Sequence, residues 1–234
     1  MPTSTCCSGF HLGQFTLPDD KRLPYEFDIR VPLIVRPPTA DGWSMRSGAS
    51  SANSNSDSIV LNIDLGPTLL DIAGLETPSY MDGSSYKSLV TAGTAGHGSN
   101  VDRRLRTDFL VEYHGEYGGG SDGQYARLKP PLFHTPPFFS LPPGVTASKM
   151  QDCRNNTYSC LRSLSGEDDT IYCQFYSTDA SWTAGSAYDV EYYNLTADPH
   201  QMDNIAGGLS PARSAALVAR LDQLRGCTGG AACL

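Results

Sequence analysis

Residues 115–150 interrupt the chain more firmly than any other segment, because they hold Gly118-Gly119-Gly120 and prolines at 130, 131, 136, 137, 142 and 143. Proline fixes φ and removes a ladder donor, and a glycine run loses the most entropy on ordering. Neither a strand nor a helix is expected to cross such a stretch, so 116–150 reads as a long loop or linker. Whatever folds must be assembled from a block at 1–115 and a smaller one at 151–234.

In the first block, Val31-Pro32-Leu33-Ile34-Val35 is short, apolar and β-branched. That is the pattern of a strand buried on both faces in a parallel sheet. Residues 39–58 are rich in small residues, Ser and Asn, and read as a surface insert. Asp64 then stands as an N-cap, Pro67 falls in the first turn and Gly74 is placed to end a helix. Leu65, Leu69, Ile72 and Ala73 share its apolar face. Asp108 to Tyr113 adds a strand, and strand, helix and strand predict an α/β layer.

The second block changes pattern. Thr157 to Arg162 and Thr170 to Phe175 flank a polar turn and predict a hairpin, with a third strand at Asp189 to Tyr193. Ser210-Pro211 opens a terminal helix whose stripe is Leu217, Leu221 and Leu224, and Gly226 closes it. This is a small α+β subdomain, an antiparallel sheet with a terminal helix.

At 234 residues the chain can bury one good core or parts of two. Its net charge is −8 and it has no Lys/Arg-rich run, which argues against a nucleic-acid partner. No stretch approaches the roughly 20 apolar residues of a membrane span. Met1 to Cys7 lacks the charged and apolar regions of a signal peptide. Yet two glycosylation sequons occur, at Asn155 and Asn194, beside seven cysteines. Together they suggest a secretory compartment and a leader missing from this chain.

Cys160 and Cys173 lie symmetrically about the proposed hairpin and can bridge across it. Cys227 and Cys233 bracket a Gly-rich loop and can staple the tail, which leaves Cys153 to partner Cys6 or Cys7. Free or differently paired thiols stay open, since spacing does not give connectivity. There is no CxxC pair, and none of the five histidines forms an HxxxH or HExxH array. Glu112, His114 and Glu116 alternate at a strand end and read first as its polar face. Physical chemistry alone places His11 and Lys21 in a loop before an apolar strand and assigns them nothing more.

The segment that carries them, GFHLGQF…DKRLPYEFDIRVPLIVR, resembles sulfatases, above all the N-acetylglucosamine-6-sulfatases and the extracellular endosulfatases. The likeness continues through SIVLNIDLGPTLLDIAGL, MDG, RTDFLVEYHGE, NNTYSCLRSL, IYCQF and YYNLTADPHQMDNIA to the CTGGAAC tail, well over half the chain. It implies the C-terminal half of an alkaline-phosphatase-like α/β sandwich followed by a small subdomain with an antiparallel sheet and a terminal helix. It implies hydrolysis of sulfate esters on 6-sulfated N-acetylglucosamine in heparan- or keratan-type glycosaminoglycans, in a lysosome or outside the cell. Family chemistry uses a formylglycine made from the cysteine of C-x-P-x-R, with calcium polarising the sulfate. On this resemblance Lys21 grips the sulfate, His11 stands at the pocket wall and Gln14 lies close behind.

The departures are specific. The family has an Asp-Asn or Asp-His metal pair just before G-[FY]-H, where this chain has Cys7-Ser8, poor ligands for a hard oxygen-seeking ion. No C-x-P-x-R occurs in the 234 residues, and R-P-P-T at 36–39 replaces the family's R-G-P-G. The expectation is a sulfatase-derived chain inactive by itself, whose partner is a missing N-terminal half or a full-length paralogue. The alternative is a non-catalytic module that binds sulfated glycans or regulates such an enzyme.

Overall fold

The computed structural model describes residues 3–5, 9–17, 21–35, 58–91, 106–114, 157–165, 168–176, 187–230 and 233. Cys6, Cys7, Ser8, Cys153, Asn155, the insert at 39–57 and the linker at 116–150 lie outside the described residues.

The chain is mixed α/β, and its centre is a four-stranded antiparallel sheet with a terminal helix. Strands β1 (Thr3–Thr5) and β2 (Leu33–Val35) form a separate antiparallel ribbon. The main sheet runs β3 (Asp108–Tyr113), β4 (Thr157–Ser165), β5 (Asp168–Tyr176), β6 (Asp189–Asn194), each paired with the next. Among the described residues four α-helices accompany them: α1 (Glu26–Ile29), α2 (Leu65–Ile72), α3 (Lys87–Thr91) and α4 (Pro211–Arg225).

Because side chains alternate across a strand, the sheet has two distinct faces. One carries Tyr158, Cys160, Ile171, Cys173, Phe175 and Tyr193, against which Tyr25 and Ile29 of the α1 region pack. The other carries Leu161, Tyr172 and Tyr192 and is covered by Leu217, Leu221 and Leu224 of α4. The α4 stripe thus follows its leucine spacing, Ser210 Oγ accepts the Arg213 N–H at 3.2 Å, and Gly226 ends the helix. In the hairpin Cys160 stands opposite Cys173 and the two are bonded. Both strands run further towards the turn than their composition suggests, to Ser165 and from Asp168.

Three expectations are corrected. Strand β2 is not buried on both faces: Ile34 is 69% exposed and its described neighbour is an antiparallel β1. A parallel strand is buried only when layers cover both sides, and no described element supplies them. Nor does 108–113 join an α/β layer with α2; it is the outer strand of the antiparallel sheet, Tyr113 opposite Tyr158. There Val111 meets one cluster and Leu110 the other, so both faces of the strand find apolar partners.

Helix α2 forms where expected, but its inward face is Pro67 and Thr68, while Leu69 is 53% exposed. Polar contacts set that rotation. Thr68 Oγ1 donates to the Asp64 carbonyl at 2.6 Å and accepts the Tyr86 N–H at 3.0 Å. Asp64 makes no side-chain cap bond to the helix. Its carboxylate takes the Leu61 N–H, the Ser84 N–H and the forked guanidinium of Arg106 instead. Beside it, Gly83 lies so close to the Ile63 carbonyl that an added Cβ would stand 2.0 Å from the oxygen. The tail docks here as well, with Gly230 N–H donating to the Met81 carbonyl at 2.7 Å and Cys227 bonded to Cys233.

Candidate functional site

The loop at 9–17 has an unusual backbone. Gly13 sits at φ 92° ahead of a 3-10 turn, and Phe15 and Thr16 follow at φ 54° and 58°. Positive φ is costly for a bulky and a β-branched residue, and such strain collects at functional segments. Gln14 braces the loop from within, its Oε1 accepting the Leu12 N–H at 2.8 Å.

His11 turns inward, its imidazole wholly buried, with Nε2 at 2.7 Å from Asp28 Oδ1. The approach is close but off the line of an ideal hydrogen bond. Asp28 is on α1, and its Oδ2 accepts the Leu23 N–H at 2.7 Å. Burial pushes the Asp28 carboxyl above its usual range; the Leu23 N–H, then His11 and Lys21, pull it back. Lys21 is half-buried on the strand-side approach to that turn, and no described carboxylate holds it in an ion pair. Its charge acts on the Asp28 carboxyl at longer range.

What positions these groups is the main sheet. The Tyr158 hydroxyl donates to the Arg22 carbonyl at 3.2 Å, and burial drives its pKa well up. Arg162 Nε reaches Glu26 at 2.8 Å while its Nη2 reaches Asp169 at 2.7 Å. Gln201, itself at φ 53°, accepts the Glu26 N–H through Oε1 at 2.8 Å. Tyr25 meets Tyr193 edge-on at 6.4 Å. On the outer flank Phe15, Phe27 and His200 gather, Phe27 and His200 stacked at 6.0 Å. Residues 21–29 are thus clamped onto one sheet face by side chains from β4, β6 and the turn after it.

The structure brings His11 and the Lys21 turn together around Asp28, with Gln14 in the same loop. Glu112 and His114 lie elsewhere, 4.0 Å apart, with Glu112 also 3.9 Å from Arg225 of α4. Asn194 closes an Asx turn at the end of β6, accepting the N–H groups of Thr196 and Ala197. Asp28, Arg162 and Gln201 went unsingled in the sequence. Separations of 17, 136 and 175 residues carry no periodic signal.

Calcium does not fit the described side chains. Among the described residues no three His, Cys, Asp or Glu gather as ligands. The buried carboxylates are already committed, Asp64 to Arg106 and Asp28 to His11 and Leu23.

Residues 13–118 match the family model for the C-terminal region of N-sulphoglucosamine sulphohydrolase. Over 96% of this chain there is 39% identity to the N-acetylglucosamine-6-sulfatase of Bos taurus, covering 34% of that protein. The Homo sapiens enzyme of the same name is 38% identical over 96% of this chain and 35% of its own length. The Drosophila melanogaster extracellular sulfatase SULF-1 homolog shares 44% identity over 82 residues, 35% of this chain and 6% of that protein. The chain spans about a third of the length of the curated N-acetylglucosamine-6-sulfatases it matches. With 38–39% identity to N-acetylglucosamine-6-sulfatases running over 96% of its length, the chain belongs to the sulfatase family.

Proposed function

We propose that this chain supplies the anion-gripping loop of a sulfatase that hydrolyses 6-sulfate esters of N-acetylglucosamine in heparan- or keratan-type glycosaminoglycans. The observation that carries the reading is Lys21, a half-buried residue without a described carboxylate in ion-pair range, at a turn held by Asp28 beside buried His11. Lys21 takes the sulfate and offsets the charge that develops on it. Gln14 and His11 shape the wall of that pocket, and the sheet holds it in register. The name of the bovine relative supports the sugar. The 234 residues hold no C-x-P-x-R, so the nucleophile and the calcium ligands come from outside this chain. The place of action is a lysosome or the cell exterior, and Asn155 and Asn194 carry glycans.

Two measurements test this. Purified chain is mixed with 6-sulfated N-acetylglucosamine and sulfate release is followed; no turnover is expected, and steady release would refute the division of labour. Affinity for the same sugar is then compared with Lys21→Ala. Loss of a charge-assisted hydrogen bond worth about 1.5–3 kcal/mol corresponds to a fall of roughly 10- to 100-fold. An unchanged affinity removes Lys21 from the site.

A further inference from the structure

We propose that Asp28 is a positioning residue whose carboxylate fixes the Nε2–H tautomer of His11 and pins the His11 and Lys21 turns to one short helix. The proposal deepens the sulfate-site reading and rests on it for the meaning of His11 and Lys21. Two observations carry it. The side chains of His11 and Asp28 are 0% and 4% exposed and stand 2.7 Å apart, off the line of an ideal hydrogen bond but shielded from water. The second oxygen of the same carboxylate accepts the Leu23 N–H, two residues beyond Lys21. One carboxylate therefore ties the turn at Leu23 to the loop of His11, which Phe15 also joins to α1 through Phe27.

An ionised carboxylate can only accept, so the imidazole nitrogen facing it must carry a proton. The ring is thereby committed to Nε2–H, and its other nitrogen is left as the acceptor or, in the charged ring, as a second donor. A purely structural latch has no need of this. Apolar side chains of similar volume hold two segments together without removing a charge from water, often with equal or greater stability. The His11–Asp28 pair thus points to a requirement on the imidazole itself, in the way a buried aspartate orients the histidine of a catalytic triad.

Asp28→Asn separates shape from charge. The amide oxygen can still accept from Leu23 while its NH2 faces His11, which forces Nε2 to become the acceptor and moves the proton to Nδ1. The test is long-range 1H–15N correlation of histidines in the full 234-residue chain, at about pH 8 where ordinary imidazole is neutral, with His11→Gln to assign the signal. We expect Nε2–H in the parent chain and Nδ1–H in Asp28→Asn, with the melting temperature kept and affinity for 6-sulfated N-acetylglucosamine down at least tenfold. Asp28→Glu is expected to keep the parent tautomer. An Nδ1–H ring in the parent overturns the proposal, as does an unchanged tautomer in Asp28→Asn. If Asp28→Asn does not fold, the parent spectrum decides alone. If the proton moves but neither chain binds the sulfated sugar, the tautomer assignment stands and the sulfate-site reading falls.

Discussion

Several single residues carry more of this molecule than their positions advertise. Arg106 and Asp64 are 3% and 0% exposed in their side chains, and the aspartate also anchors the Leu61 and Ser84 amides. Removing one partner leaves an unpaired buried charge, so Arg106→Ala should cost about 3–5 kcal/mol, read from urea unfolding at neutral pH. A loss below about 1 kcal/mol would mean that water reaches Asp64 in the variant. Glu191 is a milder case. Burial raises its pKa from 4.5, Asp189 adds to the rise and a hydrogen bond from Tyr193 opposes it. Above pH 4.5 the folded chain therefore holds this proton longer than the unfolded chain does, and stability falls as pH climbs through the folded-state value. Glu191→Gln should flatten that decline and raise the melting temperature at neutral pH; a parallel melting-versus-pH curve would show that Glu191 is not its source.

Among elements, the β4–β5 hairpin and α4 hold the sheet. The Cys160–Cys173 bond closes a loop of 13 residues, a length at which a disulfide contributes about 3 kcal/mol by restricting the unfolded chain. Cys160→Ala with Cys173→Ala should lower unfolding free energy by that order, and the hairpin's amide protection from exchange should fall with it. On the opposite face Leu221 is 0% exposed in the α4 stripe. Leu221→Ala removes a core side chain at a cost of about 2–5 kcal/mol, whereas Ala substitution of exposed Ser210 should cost only the cap, about 1 kcal/mol. Both elements were legible beforehand, since a serine-proline start, a leucine spacing and a glycine stop are local signals. Helix α2 was legible as a helix but not in its rotation. Its apolar residues suggested Leu69 inward, and the Thr68 and Asp64 hydrogen bonds decided otherwise.

At the scale of the whole molecule, the antiparallel sheet is a platform. One face is sealed by α4, the other grips residues 21–29 through Arg162, Tyr158, Tyr193 and Gln201. Arg162→Met should therefore weaken sulfated-sugar binding at Lys21, a residue with which it shares no contact, and speed proteolysis at 21–29; unchanged rates on both counts would uncouple sheet and loop. The amino-acid order by itself determined the hairpin, the terminal helix and the family, because turn residues, apolar periods and motif spacing all act over a few residues. Which sheet takes 108–113, and that the Leu33–Val35 run lies exposed, were decided only by tertiary packing, because a strand's partner depends on surfaces far along the chain. The proposed site divides the same way. His11, Gln14 and Lys21 were singled out through one motif's resemblance, whereas Asp28 becomes meaningful only when folding sets its carboxylate against a buried imidazole 17 residues away.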